Sequence, residues 1–430
     1  MRIAVVGGGI SGIAAARLLA GVAQATVFER QERAGGLVRC DRLAAGLFHR
    51  VGGHVFNTKS VSVAKWFWAH FDREREFVGL RRDARILLGG AIVGYPLENH
   101  LHQLPEAMRQ QVERELRAAG ARKTTTGNFR DFLLATFGPT LCEAYFFPYN
   151  EKMWRCDLGS IPLDWLEGKL PMPDAREILR RNALRLPETE MVHAKFHYPR
   201  RGGSQFVIDR LAQGLDLRPG CDVSRLTRAP DGRWRINGDA ERFDRVIYTG
   251  DVRSLAAIAP QYASSAALRE IQNLRTRGIT SAFCTFEATT QTWLYLPDRE
   301  WRANRIVYTG GFSAANNGGS RMTGVVEFPY PTSPGEILRE LERLPGSPEF
   351  VASHQTRDAY IIHDGKTRRN MRVVRHALRA DGLHLLGRFA EWEYYNMDAC
   401  IESALRVVAE IAGGKFAIDT YGGTTSRGGD

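Results

Sequence analysis

The chain has 430 residues, of which 43% are apolar and 25% charged, a composition that excludes a disordered or fibrous protein and a length that calls for two or three domains or sub-domains. Its formal charge is +11, yet no lysine/arginine block with interleaved aromatics and no nucleic-acid motif occurs, which leaves a small polyanion such as a nucleotide diphosphate as the preferred counter-charge. No run approaches the ~20 apolar residues of a membrane span, the N-terminus reads as mature protein rather than a signal peptide, and Cys40, Cys142, Cys156, Cys221, Cys284 and Cys400 are scattered without a CxxC, as in a cytoplasmic protein with reduced thiols and no metal site.

Arg2–Val6 is predicted as a short strand, and Gly7-Gly8-Gly9-Ile10-Ser11-Gly12 follows it at once. Residues 11–22 are Ala/Leu-rich and helical in pattern, and Gln24–Phe28 reads as a second strand closing on Glu29. This is the dinucleotide fingerprint in its required context. Gly7 allows the tight turn, Gly9 admits a pyrophosphate to the backbone, and Gly12 lets the helix pack on the strand. The helix N-terminus offers N–H groups to the phosphates, and Glu29 is placed to accept hydrogen bonds from a ribose 2′-hydroxyl. Gly35-Gly36 and Gly52-Gly53-His54 are further glycine pairs that bring backbone near a cofactor, the second holding a histidine in place.

An amphipathic helix is expected over 61–71, with Trp66, Phe67 and Trp68 assigned to the core. A hairpin is expected over 85–96 around Gly89-Gly90. Residues 105–119 and 128–149 are helical in period, and 175–185 reads as a strongly basic, solvated helix. His197-Tyr198-Pro199 marks the return to the first domain, followed by a helix over 205–213. Strands are expected at 233–236 and Arg245–Tyr248, and an antiparallel sheet from 280–286 and 323–328. The last strand falls at 383–387 and the last helix at 397–412, ahead of a Gly/Ser/Thr-rich tail.

Taken in order, these motifs resemble the UDP-galactopyranose mutase family over nearly the whole chain. The fingerprint, Glu29 and Gly35-Gly36 are similar to the family's FAD-binding start, and Gly52-Gly53-His54-Val55 to its histidine loop against the isoalloxazine ring. Tyr149-Asn150-Glu151-Lys152-Met153-Trp154 resembles the family's uridine-contacting segment. Glu327-Phe328-Pro329 resembles its E-Y-P. The fullest match is Gly387-Arg388-Phe389-Ala390-Glu391-Trp392-Glu393-Tyr394-Tyr395-Asn396-Met397-Asp398, similar to the family's terminal motif.

The resemblance implies an α/β fold: a Rossmann-like FAD-binding domain with an inserted, mainly helical domain and an antiparallel sheet layer. The division it suggests is 1–75 (FAD domain, first part), 76–196 (helical insertion with a mobile loop), 197–415 (FAD domain continued, plus sheet) and 416–430 (flexible tail). It implies pyranose–furanose interconversion of a nucleotide-diphosphate sugar through a covalent adduct at N5 of reduced FAD. On this basis the cofactor residues are Gly7, Gly9, Ser11, Gly12, Glu29, Arg30, Gly36, Leu37, Gly53, His54, Val223, Arg388, Asn396 and Met397. Those facing substrate are Asn99, Tyr149, Trp154, Arg277, Arg305 and Tyr394, and the catalytic set is His54, Arg277 and Tyr394, with Arg277 making two hydrogen bonds to the diphosphate. Expected partners are the nucleotide sugar, NAD(P)H or another reductant, and a second copy of the chain in a homodimer.

Two departures bear on the sugar. Asn57 replaces the family's second histidine, and the mobile loop reads Lys169-Leu170-Pro171-Met172-Pro173, without its diphosphate arginine. A mutase for a related nucleotide sugar fits as well as the galactose enzyme. The competing readings are an FAD oxidoreductase of the amine oxidase or protoporphyrinogen oxidase type, and a non-catalytic flavin- or nucleotide-binding protein.

Overall fold

The computed structural model describes residues 1–119, 127–163, 174–186 and 194–413; the loop at 169–173 and the tail from 416 lie outside these. Five parallel strands form the first sheet, in the order Leu383–Leu385, Arg245–Tyr248, Arg2–Val6, Gln24–Phe28, Asp216–Arg218. The central three are β-branched and apolar, as strands covered on both faces must be. The fingerprint helix Ile10–Leu19 packs against the terminal helix Met397–Ile411, where Ala14, Ala15 and Ala404 are buried and allow close approach. Trp66 and Phe67 are buried in the same core, as expected.

The second sheet has seven strands in the order Glu349–Ile362, Arg275–Phe286, Met322–Phe328, Arg305–Val307, Trp293–Tyr295, Ala84–Leu88, Ala91–Gly94. It is antiparallel except where Trp293–Tyr295 meets Ala84–Leu88. The hairpin at 84–94 therefore belongs to this sheet and not to the helical insertion, which corrects the boundary drawn at 76. Helices Glu106–Ala119, Phe129–Leu141 and Phe147–Trp154 cover one sheet face, burying Val112, Leu116, Phe129, Leu141 and Phe147 against Ile86, Trp293 and Tyr295.

Three further expectations change. The helix expected over 128–149 is broken: Gly138 has φ +79 ahead of Pro139, and a wide π turn spans Cys142–Phe146. The basic helix Ala175–Ala183 is not merely solvated, because Ile178, Arg181 and Asn182 are buried. Asn182 donates to the Glu98 carbonyl and accepts from the Leu101 N–H, both at 2.7 Å. The sequence reading also lacked the long strand Glu349–Ile362 and the helix Thr367–Ala380. Among the described residues no helix is long and apolar enough to cross a membrane.

Candidate active site

Val6, Phe28, Tyr248 and Leu385 are in register at the carboxyl ends of the inner parallel strands, the edge at which such sheets bind ligands. The segments that continue from them, Gly7, Glu29, Thr249 and Gly387, emerge side by side. At Gly7 (φ +107) a Cβ would lie 2.3 Å from Thr249 Oγ1, and at Gly12 a Cβ would lie 2.0 Å from the Gly7 carbonyl oxygen. Gly9 differs: a Cβ there would meet nothing nearer than Gly36 Cα at 3.8 Å. Its open side faces space for a ligand. Gly9 is also the N-cap of the fingerprint helix and has no side-chain cap, so first-turn N–H groups remain for a phosphate.

Glu29 is buried, with Oε2 accepting from the Gly8 N–H at 2.7 Å and Oε1 from the Gln31 N–H at 2.8 Å. These bonds aim the carboxylate and leave lone pairs for a ribose hydroxyl. The Gly35 N–H donates to the Gly8 carbonyl at 2.9 Å, which lays Gly36 and Leu37 over the fingerprint turn. Ser11 packs directly on Gly387. Met397 is buried at the start of the terminal helix, with exposed Asn396 at its N-cap. Val223 is buried beside Val6 and Phe28, and Arg30 is exposed beyond Glu29. The residues present fit an FAD: a glycine cradle, an aimed acid and a helix end converge on one edge.

His54 follows Gly53, where a Cβ would lie 2.5 Å from Val307 Cγ1, so the loop hugs the second sheet. One ring nitrogen of His54 is hydrogen-bonded to the backbone of Leu37, while Nε2 is buried without a partner. Burial, then the charges of Arg388 and Arg305, push its pKa down to about 4, so the ring is neutral near pH 7. The Arg388 guanidinium lies 4.2 Å from the ring centre of Tyr394 and 5.6 Å from that of Tyr360. Its Nη1 makes a long 3.4 Å contact to the Tyr395 carbonyl, whereas Nε and Nη2 are buried with no hydrogen-bond partner among the described residues. Tyr360 and Tyr394 stack at 6.1 Å, and Trp154 stands edge-on to them at 6.4 and 6.3 Å.

Arg305 donates from Nε to Glu327 Oε2 at 2.6 Å and from Nη2 to Tyr360 Oη at 2.9 Å. The Tyr360 hydroxyl donates in turn to Glu327 Oε1 at 2.7 Å. Glu327 is fully buried, and this closed triad holds Arg305 on the sheet side of the cleft. Tyr149 stands edge-on to Tyr295, which stacks on Tyr95 at 4.6 Å. Lys152, on the same helix, donates to the carbonyls of Leu296, Asp298 and Ala303 at 2.7, 2.9 and 3.2 Å and ties that helix to the sheet. Asn99 closes the half-buried turn Leu97–Asn99 after the hairpin.

Arg277 is tied to the helix that carries Trp154. Its Nε and Nη2 donate to the carbonyls of Trp154 and Arg155, each at 2.8 Å. One edge of the guanidinium is therefore used in capping the helix Phe147–Trp154, while Nη1 on its other edge has only a long 3.5 Å contact to the Thr276 carbonyl. Three residues of the site lacked an assigned role in the sequence: Tyr360, Glu327 and Glu391. Glu391, almost fully buried, accepts from the Gly387 N–H at 2.8 Å, from Arg406 at 2.6 Å and from the Ser403 hydroxyl. It anchors the turn that carries Arg388. The available signal was its spacing, four residues after Gly387 within the terminal motif.

Residues 10–412 match the family model described as flavin-containing amine oxidoreductase. In fold the chain is similar to reduced UDP-galactopyranose mutase, with a TM-score of 0.87 and 19% identity over 98% of this chain and 96% of that one. It is also similar to putrescine oxidase bound to putrescine (TM-score 0.67, 16% identity, 96% and 99% covered). A third likeness is to the CLA-producing fatty acid isomerase from P. acnes (TM-score 0.66, 14% identity, 95% and 98% covered). At such identities the shared property is the fold, which here hosts a mutase, an oxidase and an isomerase; side chains must choose among them.

Proposed function

The chain belongs to the flavin-containing amine oxidoreductase family, and within it we propose a flavin-dependent mutase that interconverts the pyranose and furanose forms of a nucleotide-diphosphate sugar, UDP-galactose or a related one. The observation that carries this reading is the unpartnered edge of Arg388, buried against Tyr360 and Tyr394 with Trp154 alongside. A buried cation in that state is stabilised by taking up an anion, and the adjoining ring faces suit a base or sugar. An amine substrate would arrive as a cation between Arg388 and Arg305. Glu327, the carboxylate beside Arg305, is already shared by Arg305 and Tyr360.

FAD, when bound and reduced, supplies the nucleophile for this reaction. The chain's own groups do the rest. Arg388 offers its open edge to a phosphate of the cofactor or of the leaving diphosphate, and the Tyr394 hydroxyl hydrogen-bonds the leaving diphosphate as charge collects there. Trp154 and Tyr149 hold the base through their faces, and Asn99 faces the sugar. His54 presents its bare Nε2 to the cofactor without adding charge. Arg277 acts through Trp154, whose carbonyl it fixes. Arg305, locked by Glu327, adds positive field on the sheet side. NAD(P)H or another reductant, a homodimer and a cytoplasmic setting, in which the six unpaired cysteines stay reduced, complete the reading.

The family description favours a second reading, an oxidoreductase that consumes oxygen. Dithionite-reduced protein offered a panel of nucleotide sugars under anaerobic conditions separates the two. Pyranose–furanose conversion of one sugar, seen by chromatography, is the expected result. No conversion of any, together with oxygen uptake on an amine or a porphyrinogen, would overturn the proposal.

A further inference from the structure

Behind the His54 loop runs a chain of buried polar groups that the proposed reaction does not use. His49, in the strand Gly46–His49, has Nε2 2.6 Å from Tyr198 Oη and Nδ1 3.3 Å from Ser204 Oγ. Ser204 Oγ lies 2.7 Å from the Val38 carbonyl oxygen. Asn316 Nδ2 lies 3.0 Å from Tyr198 Oη and 2.8 Å from the Thr309 carbonyl oxygen. None of these four side chains is more than 1% exposed. They come from four separate stretches of the chain: the first hairpin, the strand Lys195–Pro199, the start of the helix Gln205–Leu211 and the turn Ala314–Asn316.

Counting donors fixes the direction of every proton. A carbonyl only accepts, so the Ser204 hydroxyl gives its single proton to Val38. Toward His49 that oxygen then only accepts, which puts the proton of the neutral imidazole on Nδ1. Nε2 is left as an acceptor and takes the proton of the Tyr198 hydroxyl. The Tyr198 oxygen accepts from Asn316, whose amide spends its two hydrogens on Tyr198 and Thr309. The order is Asn316 to Tyr198 to His49 to Ser204 to Val38; the Cys40 thiol lies alongside, 3.4 Å from Ser204 Oγ and 3.7 Å from the Val38 carbonyl oxygen, and Asn316 Oδ1 takes no part. Burial, then nearby His54, push the His49 pKa down to about 3, consistent with a ring that stays neutral.

The chain ends in the turn Gly36–Val38. Leu37 of that turn holds His54 through its backbone, and a Cβ at Gly36 would lie 3.1 Å from Gly9 Cα in the fingerprint. We infer that Tyr198, His49 and Ser204 are positioning residues acting as a tautomer lock: they pin the Gly36–Val38 turn, and through it set His54 and the adjoining wall of the FAD site. The inference rests on His54 facing the flavin and is independent of which substrate is used. Without the Tyr198 hydroxyl, His49 Nε2 loses its donor and one Asn316 amide hydrogen loses its acceptor, while the links from Nδ1 to Ser204 and from Ser204 to Val38 can still be made. Moving the ring proton to Nε2 would strand it and break the bond to Val38 as well, so the tautomer is kept and the ring is held from one side only.

Side-chain ¹H–¹⁵N spectra of the histidines in the FAD-loaded protein test this directly. In the wild type His49 is expected with Nδ1 protonated and Nε2 bare; the opposite tautomer would overturn the inference without any mutation. Tyr198→Phe should keep the Nδ1–H tautomer but change the Nε2 signal as its donor is lost, weaken FAD roughly tenfold, the worth of about one buried hydrogen bond, and shift the flavin's midpoint potential. Ser204→Ala should leave the His49 tautomer as it was and alter the flavin in the same sense, since only the last link is cut. If FAD affinity, visible spectrum and potential of Tyr198→Phe stay at wild-type values, the lock does not act on the cofactor site. Turnover plays no part in these readouts, so they stand or fall apart from the mutase reading.

Discussion

Replacing Glu327 with glutamine removes the only charge that balances Arg305 inside its triad with Tyr360. Glu327 is fully buried, the Arg305 side chain is 19% exposed, and both hydrogen bonds to the carboxylate are short, at 2.6 and 2.7 Å. Breaking a buried pair from one side costs about 3–5 kcal/mol, because the surviving charge is left uncompensated. Glutamine keeps the shape and one acceptor oxygen, which places Glu327→Gln near the lower end, about 3 kcal/mol. Glu327→Ala also opens a cavity and belongs near the upper end, about 5 kcal/mol. The double variant Glu327→Gln/Arg305→Met removes the stranded charge and should recover most of the loss. Urea denaturation of FAD-loaded protein measures this, with the same free FAD in every sample because the ligand itself stabilises the native state. A loss for Glu327→Gln below about 1 kcal/mol, or a double variant no more stable than the single one, would refute the claim that a buried charge pair holds this strand junction.

The two fingerprint glycines should separate binding from folding. Gly9→Ala meets no protein atom closer than 3.8 Å and is expected to leave the apo-protein's melting temperature nearly unchanged while abolishing FAD binding; Gly12→Ala, with its Cβ 2.0 Å from the Gly7 carbonyl oxygen, should destabilise the apo-protein itself. Arg388→Met should weaken the anionic ligand by about 10- to 150-fold, the worth of one charge-assisted hydrogen bond, and titration calorimetry with FAD and with a nucleotide diphosphate tells which ligand it holds. His54 should titrate near pH 4 instead of its ordinary 6.5. Its folded-state pKa is depressed, so the unfolded chain takes the proton first. The contribution to stability is full above about pH 6.5 and falls as pH drops toward 4; His54→Gln should flatten that part of the stability profile, and an unchanged slope would contradict the assignment. Arg277→Ala should lower turnover with FAD retained, because Trp154 loses the donor that fixes its carbonyl; loss of FAD would mean that the residue acts elsewhere.

The fingerprint was legible because its chemistry is local: strand, turn, helix and acid follow one another, and spacing alone brings them together. The same holds for the hairpin at Gly89-Gly90 and for the terminal motif from Gly387. The cluster around Arg305 is another matter. Arg305 faces Glu327, and Arg277 faces Tyr360, directly across neighbouring strands of the second sheet. A slip of one residue would send either side chain to the opposite face, and nothing within a single strand states the register of its neighbour. Arg277 illustrates the cost: its type and position suggested a diphosphate clamp, and only the structure reveals the helix end already in its grasp. The strand Glu349–Ile362 escaped notice because it lies at a sheet edge, polar and alternating until its last four residues. The helix Thr367–Ala380 hides its buried stripe of Met371, Val374 and Leu378 among arginines.

The parallel sheet joins the first strand of the chain to one of the last, and the site is divided in the same way. Gly7 to His54 leave the ribosome early, whereas Arg388, Glu391 and the helix beginning at Met397 leave near the end. Until those last segments dock, the cradle has no Ser11–Gly387 contact, no Arg388 beside His54 and no terminal helix against the fingerprint helix. Tight flavin capture therefore reports that the chain has been made and folded through the helix Met397–Ile411. A nascent chain stalled before residue 387 would expose the apolar faces of the fingerprint helix and the open edge of Arg245–Tyr248, surfaces on which chaperones and proteases act.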